Sequence, residues 1–354
     1  MTAFIPRTVF PPLTSLPRSY YLGHHAAGLA KMRSLLAQID VVLECRDSRI
    51  PLTSRNPLFE DALAGKERVV VYTKRDLGCQ PGAEASDGEQ KRHTLLRTLH
   101  APSPVLLSDH HAAPSIRALL AHIRSLPSTQ HSLTGSHLLV VGLPNVGKSS
   151  LLNALRSVSL HKGKAARTGA QPGITRKIGT SVKIIEPSDS TDPAGGAGVY
   201  VLDTPGVFIP YVPDAEAMLK LALCGSVKDN IIPPFTLADY LLFHLNLHDP
   251  AIYSAYIAPT NDVMLLLDAT ARKTGRLMKG GEPDWEGTAM WLVQRWRNGF
   301  LGRFLLDEVT EIAVEAYRRG GEDGARSVSQ MRKAGKAMLR ERSRAKVAKG
   351  HDIG

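Results

Sequence analysis

Gly142-Leu143-Pro144-Asn145-Val146-Gly147-Lys148-Ser149 fits the spacing G-x-x-x-x-G-K-[ST], and residue types in that pattern are suited to holding a triphosphate. The glycines let the backbone curl so that the N–H groups of Asn145, Val146, Gly147, Lys148, Ser149 and Ser150 can face phosphate oxygens. Lys148 can reach the β- and γ-phosphates, where its charge would also serve hydrolysis, and the Ser149 hydroxyl can ligate Mg²⁺. Four apolar residues, Leu138 to Val141, lead in, and an apolar-periodic segment follows. The reading is strand, phosphate loop, helix.

Three further clusters carry complementary chemistry. Asp203-Thr204-Pro205-Gly206 ends the apolar run Val199 to Leu202, which puts Asp203 where a Walker B carboxylate acts on Mg²⁺ through water and Gly206 where its N–H can turn to a γ-phosphate. Thr175, within Gln171-Pro172-Gly173-Ile174-Thr175-Arg176, can give a hydroxyl to Mg²⁺ when a γ-phosphate is present, which makes that segment a switch. Thr73-Lys74-Arg75-Asp76 opens directly from the strand Val69 to Tyr72. A carboxylate at Asp76 can accept from both the ring N1–H and the exocyclic amine of guanine, whereas adenine would leave it unpaired. The stem of Lys74 would lie on the base plane, and a backbone amide near Ser108, after the short strand Pro104 to Leu107, would meet the guanine carbonyl. GTP and GDP with Mg²⁺ are therefore the expected ligands.

These motifs require a doubly wound, mostly parallel P-loop GTPase sheet. They arrive in an unusual order, with base reading at Thr73 to Asp76 ahead of the phosphate loop. Because domain termini tend to lie close together, circular permutation can cut the same fold elsewhere. That order resembles the circularly permuted GTPases of the YlqF/RbgA type, which assist assembly of the large ribosomal subunit. The resemblance spans about residues 20–310 and extends to Gly23-His24, to Asp47-Ser48-Arg49-Ile50-Pro51 with Arg55-Asn56-Pro57, and to Gly280-Gly281-Glu282-Pro283-Asp284. It implies slow GTP hydrolysis without the ribosome, with the large subunit and its rRNA as partners. It also implies a catalytic role for His24 and a potassium ion at Asn145, as in related potassium-stimulated GTPases. Two departures stand out: Thr73 replaces the usual asparagine of N-K-x-D, and Val207 occupies the place where many small GTPases carry a water-orienting glutamine.

Length and composition indicate two domains. The chain has 354 residues, with 44 Lys and Arg against 33 Asp and Glu for a net charge of +11, which favours a polyanionic partner such as nucleic acid. Cys45, Cys79 and Cys224 are too far apart to suggest a disulfide framework or a thiolate zinc site, and no apolar run reaches bilayer length. Residues 1–22 read as a mitochondrial targeting segment or a disordered tail, since Met1 to Ile39 contains no acid while Pro6, Pro11, Pro12 and Pro17 interrupt any helix. Residues 23–214 form the permuted GTPase domain, 215–320 a smaller all-helical domain and 321–354 a basic tail, where Arg332 to Lys349 holds eight Lys or Arg against Glu341.

Expected helices include Ala27 to Ala37, Arg92 to Leu99, Ser115 to Leu126, Ala215 to Cys224, Leu237 to Asn246, Ala289 to Trp296 and Asp307 to Tyr317, while 79–91 and 187–198 read as solvated loops. His244 and His248 have the spacing of two metal ligands but no third, and Trp285, Trp291 and Trp296 read as core. The chain reads as a monomeric, mitochondrial matrix protein, with peripheral contact to the inner membrane left open. A nucleotide-gated RNA-binding scaffold with negligible turnover, or a cytosolic or nuclear ribosome-biogenesis GTPase, are the competing readings.

Overall fold

Six short apolar strands organise the GTPase half: β1 Val41–Asp47, β2 Glu67–Thr73, β3 Val105–Leu107, β4 Ser136–Gly142, β5 Val182–Ile185 and β6 Val199–Asp203. The computed structural model describes residues 4–13, 23–63, 65–80, 82, 86–130, 135–166, 181–187, 198–208, 212 and 214–323. Between β2 and β4, β1 is buried at every position, as expected of a parallel strand covered on both faces. The sheet runs β3-β2-β1-β4-β6-β5, with only the β5–β6 pair antiparallel. The strand that precedes the phosphate loop therefore lies at the centre. Strands from the first part of the chain flank it on one side, and strands from after the loop flank it on the other, which is how a permuted chain rebuilds a continuous sheet.

The helices, in chain order, are α1 Gly23–Leu35, α2 Pro57–Ala62, α3 Arg75–Gly78, α4 Asp87–His100, α5 Ala113–Ser125, α6 Pro127–Gln130, α7 Lys148–Leu160, α8 Ala215–Leu223, α9 Pro234–His248, α10 Val263–Thr274, α11 Trp285–Arg297 and α12 Glu311–Asp323. One face of the sheet packs on α5 and α7 through Ile116, Leu120, Ile123, Leu151 and Leu155, and that core runs without interruption into α8, α9 and α11. The other face packs on α1 and α2 through Leu29, Met32 and Phe59.

Several elements depart from expectation for local reasons. The segment 79–91 is not all loop: Ser86 caps α4, its side chain accepting from the Glu89 amide at 3.4 Å, so the helix starts at Asp87 and not at Arg92. Helix α10 has no counterpart among the expected helices, because its apolar residues Val263 to Leu267 are consecutive and hide the 3.6-residue period. Asp262 caps it and Gly275, at φ +70°, ends it. Asp307 does not begin a helix. It is buried and its carboxylate accepts from the amides of Leu52 and Thr53, at 2.9 and 2.7 Å, while α12 starts at Glu311.

Both ends of the described chain fold back. Within the segment 4–13, which falls inside the expected leader or disordered tail, Arg7 pairs with Asp239 of α9 at 2.6 Å and Phe10 stacks edge-on against Tyr240 with ring centres 5.1 Å apart. Asn261 donates to the Ile5 carbonyl at 2.9 Å. At the other end α12 leaves the helical half and returns to the sheet: the Tyr317 hydroxyl accepts from Arg46 at 2.7 Å and its ring lies under Arg55. The basic tail beyond residue 323 lies outside the described residues.

Among the described residues no group of three metal-ligating side chains occurs and all three cysteines are free. His244 packs against Tyr240 and Phe243, and His248 stacks on Phe304 with ring centres 4.3 Å apart. Trp296 is core, 1% exposed, but Trp285 is 40% exposed, which corrects its reading as a core residue. No described helix is long and apolar enough to cross a membrane.

Candidate functional site

The phosphate loop turns at the C-terminal end of β4 because Gly142, at φ +149°, can approach β1 where no side chain fits: a Cβ there would overlap the Cys45 carbonyl oxygen. Gly147, at φ +100°, caps α7, and its α-carbon faces Thr73 across the loop. Lys148 follows as the first residue of α7, almost fully buried, with Nζ donating to the carbonyls of Leu143 at 2.7 Å and Gly142 at 3.3 Å. Burial draws its ammonium below the ordinary lysine value, and Asp203 opposes that shift. An ammonium held under the loop is suited to neutralising phosphate charge, and a phosphate brought beside it would favour its charged form.

The Ser149 hydroxyl donates to Asp203 Oδ2, so the two candidate Mg²⁺ groups meet. Burial raises Asp203 above the usual carboxylate range, opposed by Lys148 and Ser149, and its Oδ1 is buried with no hydrogen-bond partner among the described residues. A hydroxyl and a carboxylate that keeps one buried oxygen unmatched are oxygen donors of the kind that fits Mg²⁺. When bound, the ion would draw negative charge from the β- and γ-phosphates. Thr175, the expected third contributor, lies outside the described residues. Gly206 approaches the loop so closely that a Cβ would stand 2.5 Å from Pro144 Cα, and a larger residue is therefore barred.

Across the loop stands the base-reading segment. The Thr73 hydroxyl lies within bonding distance of the Val146 carbonyl and, at 3.0 Å, of the Arg46 carbonyl, so the hydroxyl that replaces the usual amide does tie this segment to the phosphate loop. Lys74, in the left-handed conformation at φ 56°, donates to the Asn145 carbonyl at 2.6 Å and to Asp47 Oδ2 at 2.9 Å. Asp76 sits in the first turn of α3 with Oδ1 buried and unmatched among the described residues, as is the hydroxyl of Ser108. Burial and the nearby Asp109 raise the Asp76 carboxyl, and a hydrogen bond from its own backbone opposes them only in part. Unmatched oxygens at both positions fit a guanine edge. The amides around Ser108 are partly committed: Ser108 donates to the Tyr72 carbonyl at 2.7 Å and Asp109 to Ser115 Oγ at 3.0 Å.

Val207 is 2% exposed and packs with Leu29 and Met32 of α1, and a Cβ at Gly28 would touch its Cγ2 at 3.6 Å. It faces the core and takes no part in orienting water. The helix that carries His24 therefore lies directly on the Asp203 to Val207 segment. The backbone of His24 is in its first turn; the His24 side chain lies outside the described residues.

One contact reaches beyond the nucleotide motifs. The Asn145 side-chain amide donates to the Gly225 carbonyl in the turn after α8, at 2.8 Å. Arg297, at the end of α11, holds the same turn by donating to the carbonyls of Leu223 at 2.9 Å and Ala222 at 2.7 Å and by pairing with Asp229.

The model of the family "50S ribosome-binding GTPase" matches residues 137–246, which begins at β4 and leaves the base-reading segment outside, ahead of it. Mitochondrial GTPase 1 of Schizosaccharomyces pombe is 36% identical over 339 residues, 92% of this chain and 100% of that one. This chain belongs to the mitochondrial GTPase 1 family. Mitochondrial ribosome-associated GTPase 1 of Mus musculus is 35% identical, covering 81% of this chain and 89% of its own. The GNP-bound crystal structure of YlqF from T. maritima shares the fold, with a TM-score of 0.51 at 22% identity, over 79% of this chain and 97% of that one. A GDP-bound YlqF structure superposes equally well, with a TM-score of 0.51. The fold is thus a circularly permuted P-loop GTPase with a helical C-terminal region, and the protein is a GTP hydrolase. Asp47, Arg49, Gly225 and Arg297 stand beside the candidate site through contacts that spacing alone does not reveal. Of these, only Asp47 and Arg49 lie in a segment that the resemblance singles out, and it implies no role for them.

Proposed function

We propose that this protein is a GTP-driven assembly factor for the large subunit of the mitochondrial ribosome, contacting rRNA in a way that depends on the bound nucleotide. The Asn145 to Gly225 hydrogen bond carries this reading, since it joins the phosphate loop to the helical region that would touch RNA. Supporting it are the net charge of +11 and an arginine-rich aromatic surface: Arg276 and Arg295 lie over Trp291, at 4.5 and 5.0 Å, beside Phe300, which is 68% exposed. Relatives named as mitochondrial and ribosome-associated support the compartment and the partner.

In this reading Lys148, Ser149, Asp203 and Thr175 bind and neutralise the triphosphate with Mg²⁺, and Thr73, Lys74, Asp76 and Ser108 hold the base. Asn145, whose amide nitrogen serves Gly225, would offer its side-chain oxygen to K⁺. His24, on the helix packed against Val207, acts on the attacking water. The protein works as a monomer in the matrix, at times at the inner membrane surface.

Single-turnover hydrolysis with and without large subunits tests the function. Stimulation by subunits, lost in His24→Ala with GTP binding intact, is the expected result. A rate that subunits leave unchanged would favour a nucleotide-gated scaffold.

A further inference from the structure

Asn56 precedes Val207 by 151 positions, yet its side-chain amide donates to the Val207 carbonyl at 2.9 Å, with both residues almost fully buried. Asn56 belongs to none of the nucleotide motifs. Its bond matters because Val207 closes the Asp203 to Gly206 segment. At the entry of that segment the Thr204 hydroxyl donates to the Val140 carbonyl of β4 at 2.6 Å. At the exit the Val207 amide donates to the Gly142 carbonyl at 3.2 Å, the Val207 carbonyl accepts from Asn56, and the Val207 side chain packs with Leu29 and Met32. Gly206 lies between these anchors, where a Cβ would stand 2.5 Å from Pro144 Cα, so its backbone is seated directly on the phosphate loop.

An anchor must itself be fixed, and the turn that carries Asn56 is held from several sides. Its carbonyl accepts from the Phe59 amide at 2.9 Å at the start of α2, and Phe59 is buried. Arg55, its neighbour, donates to the Tyr317 carbonyl at 3.0 Å and lies over the Tyr317 ring. Asp307 holds the amides of Leu52 and Thr53 just upstream. The C-terminal part of the chain therefore clamps the turn from which Asn56 reaches Val207.

We propose that Asn56 is a positioning residue for GTP hydrolysis: by holding the Val207 carbonyl it keeps the Asp203 to Gly206 segment seated on the phosphate loop, where Gly206 meets the γ-phosphate. Asn56 acts only through Val207. Removing its amide leaves a buried carbonyl without that donor, and the exit of the segment loosens. GDP has no γ-phosphate, so GTP feels the loss and GDP does not. The inference rests on the reading of Gly206 as the γ-phosphate contact, and Gly206→Ala, whose Cβ would overlap Pro144, is the control for that reading.

Affinities for GDP and for a non-hydrolysable GTP analogue, single-turnover hydrolysis and thermal melting of the full chain are measured for wild type, Asn56→Ala, Asn56→Asp and Gly206→Ala. Asn56→Ala is expected to weaken the analogue and slow hydrolysis about tenfold each, the worth of one buried hydrogen bond, with GDP affinity within about threefold of wild type. A residue that only stabilised the fold would lower the melting temperature and leave the analogue-to-GDP ratio and the rate of the loaded protein unchanged. That result, or equal weakening of both nucleotides, would overturn the proposal. Asn56→Asp keeps the shape of the side chain; burial disfavours its charge, and the neutral acid can donate to the same carbonyl. Its hydrolysis relative to wild type should rise about threefold or more from about pH 8 to about pH 6, and a flat ratio would contradict the proposal. Should Asn56→Ala not fold, this ratio decides. Gly206→Ala that hydrolyses GTP like wild type overturns the γ-phosphate reading and the proposal with it, whereas Gly206→Ala that binds GDP without hydrolysing GTP, beside Asn56→Ala of normal ratio and rate, overturns the proposal alone.

Discussion

The Asn145 side chain donates its amide to the Gly225 carbonyl at 2.8 Å, so a residue in the middle of the phosphate loop is bonded to the turn that follows α8, the first helix of the helical region. Any movement of the loop on exchange of GTP for GDP pulls on that turn. Arg297 stiffens the turn from the far side through Leu223, Ala222 and Asp229. Permutation makes this possible, because the helical region follows within a few residues of Asp203 to Val207 and has no further strand to cross.

Arg297→Ala is expected to release that turn while leaving the nucleotide ligands untouched. Two charge-assisted hydrogen bonds to carbonyls and one ion pair, screened because Asp229 is partly exposed, are lost, which costs about 2–3 kcal/mol. Chemical denaturation should show the lower midpoint, and GDP affinity should stay within about threefold of wild type.

Gly142→Ala tests the tightest approach in the site. A Cβ there meets the Cys45 carbonyl, and the backbone angle is one that L residues avoid. Loss of measurable GDP binding together with a lower melting temperature is expected. Gly163→Ala, where a Cβ meets nothing within 4 Å, should leave both unchanged.

Val207→Gln should not create a catalyst. The side chain points into the α1 packing and not toward phosphate, so an amide there would be buried among Leu29, Met32 and Leu139. Destabilisation of about 1–3 kcal/mol is expected, with no rise in intrinsic single-turnover GTP hydrolysis.

Acid should weaken the fold in two windows. Burial, with help from Lys220 and His248, pulls His244 down from 6.5 to about 3, and burial near Arg46 pulls His100 to about 2. Below pH 6.5 the unfolded chain therefore binds protons that the folded chain does not, and stability falls as pH falls from there. Asp47, depressed in the fold, adds its own loss only below the usual carboxylate value of 3.8. His244→Phe should make the first window shallower while His100 keeps its share, since Nε2 of His244 has no partner among the described residues and the ring sits between Tyr240, Phe243 and Phe304. Denaturation midpoints between pH 7 and 5 provide the check.

The parts of this molecule that could be read from the chain are those whose meaning is local. Gly142 to Ser149 and Asp203 to Gly206 announce themselves because a turn and a metal ligand need those residues within a few positions of one another. Asp76 gained its meaning from the company it kept. By contrast Asp47, Arg49 and Arg297 act through partners that the fold alone brings near: Arg49 meets Trp296, and Arg7 meets Asp239, across more than half of the sequence. Asp307 shows the opposite hazard. Its position ahead of an apolar run reads as a helix start, yet the fold uses the carboxylate to hold the amides of Leu52 and Thr53. Residues 4–13 carry no local sign in their basic, proline-rich sequence that Phe10 and Arg7 have seats on α9.

The central claim is that nucleotide state at the phosphate loop governs the grip of the helical region on the large subunit, and co-sedimentation with mitochondrial large subunits tests it most directly. Wild type should pellet with subunits in a non-hydrolysable GTP analogue and remain largely in the supernatant in GDP, and Arg297→Ala should narrow that difference while still binding both nucleotides. Equal pelleting in the analogue, in GDP and without nucleotide would contradict the account.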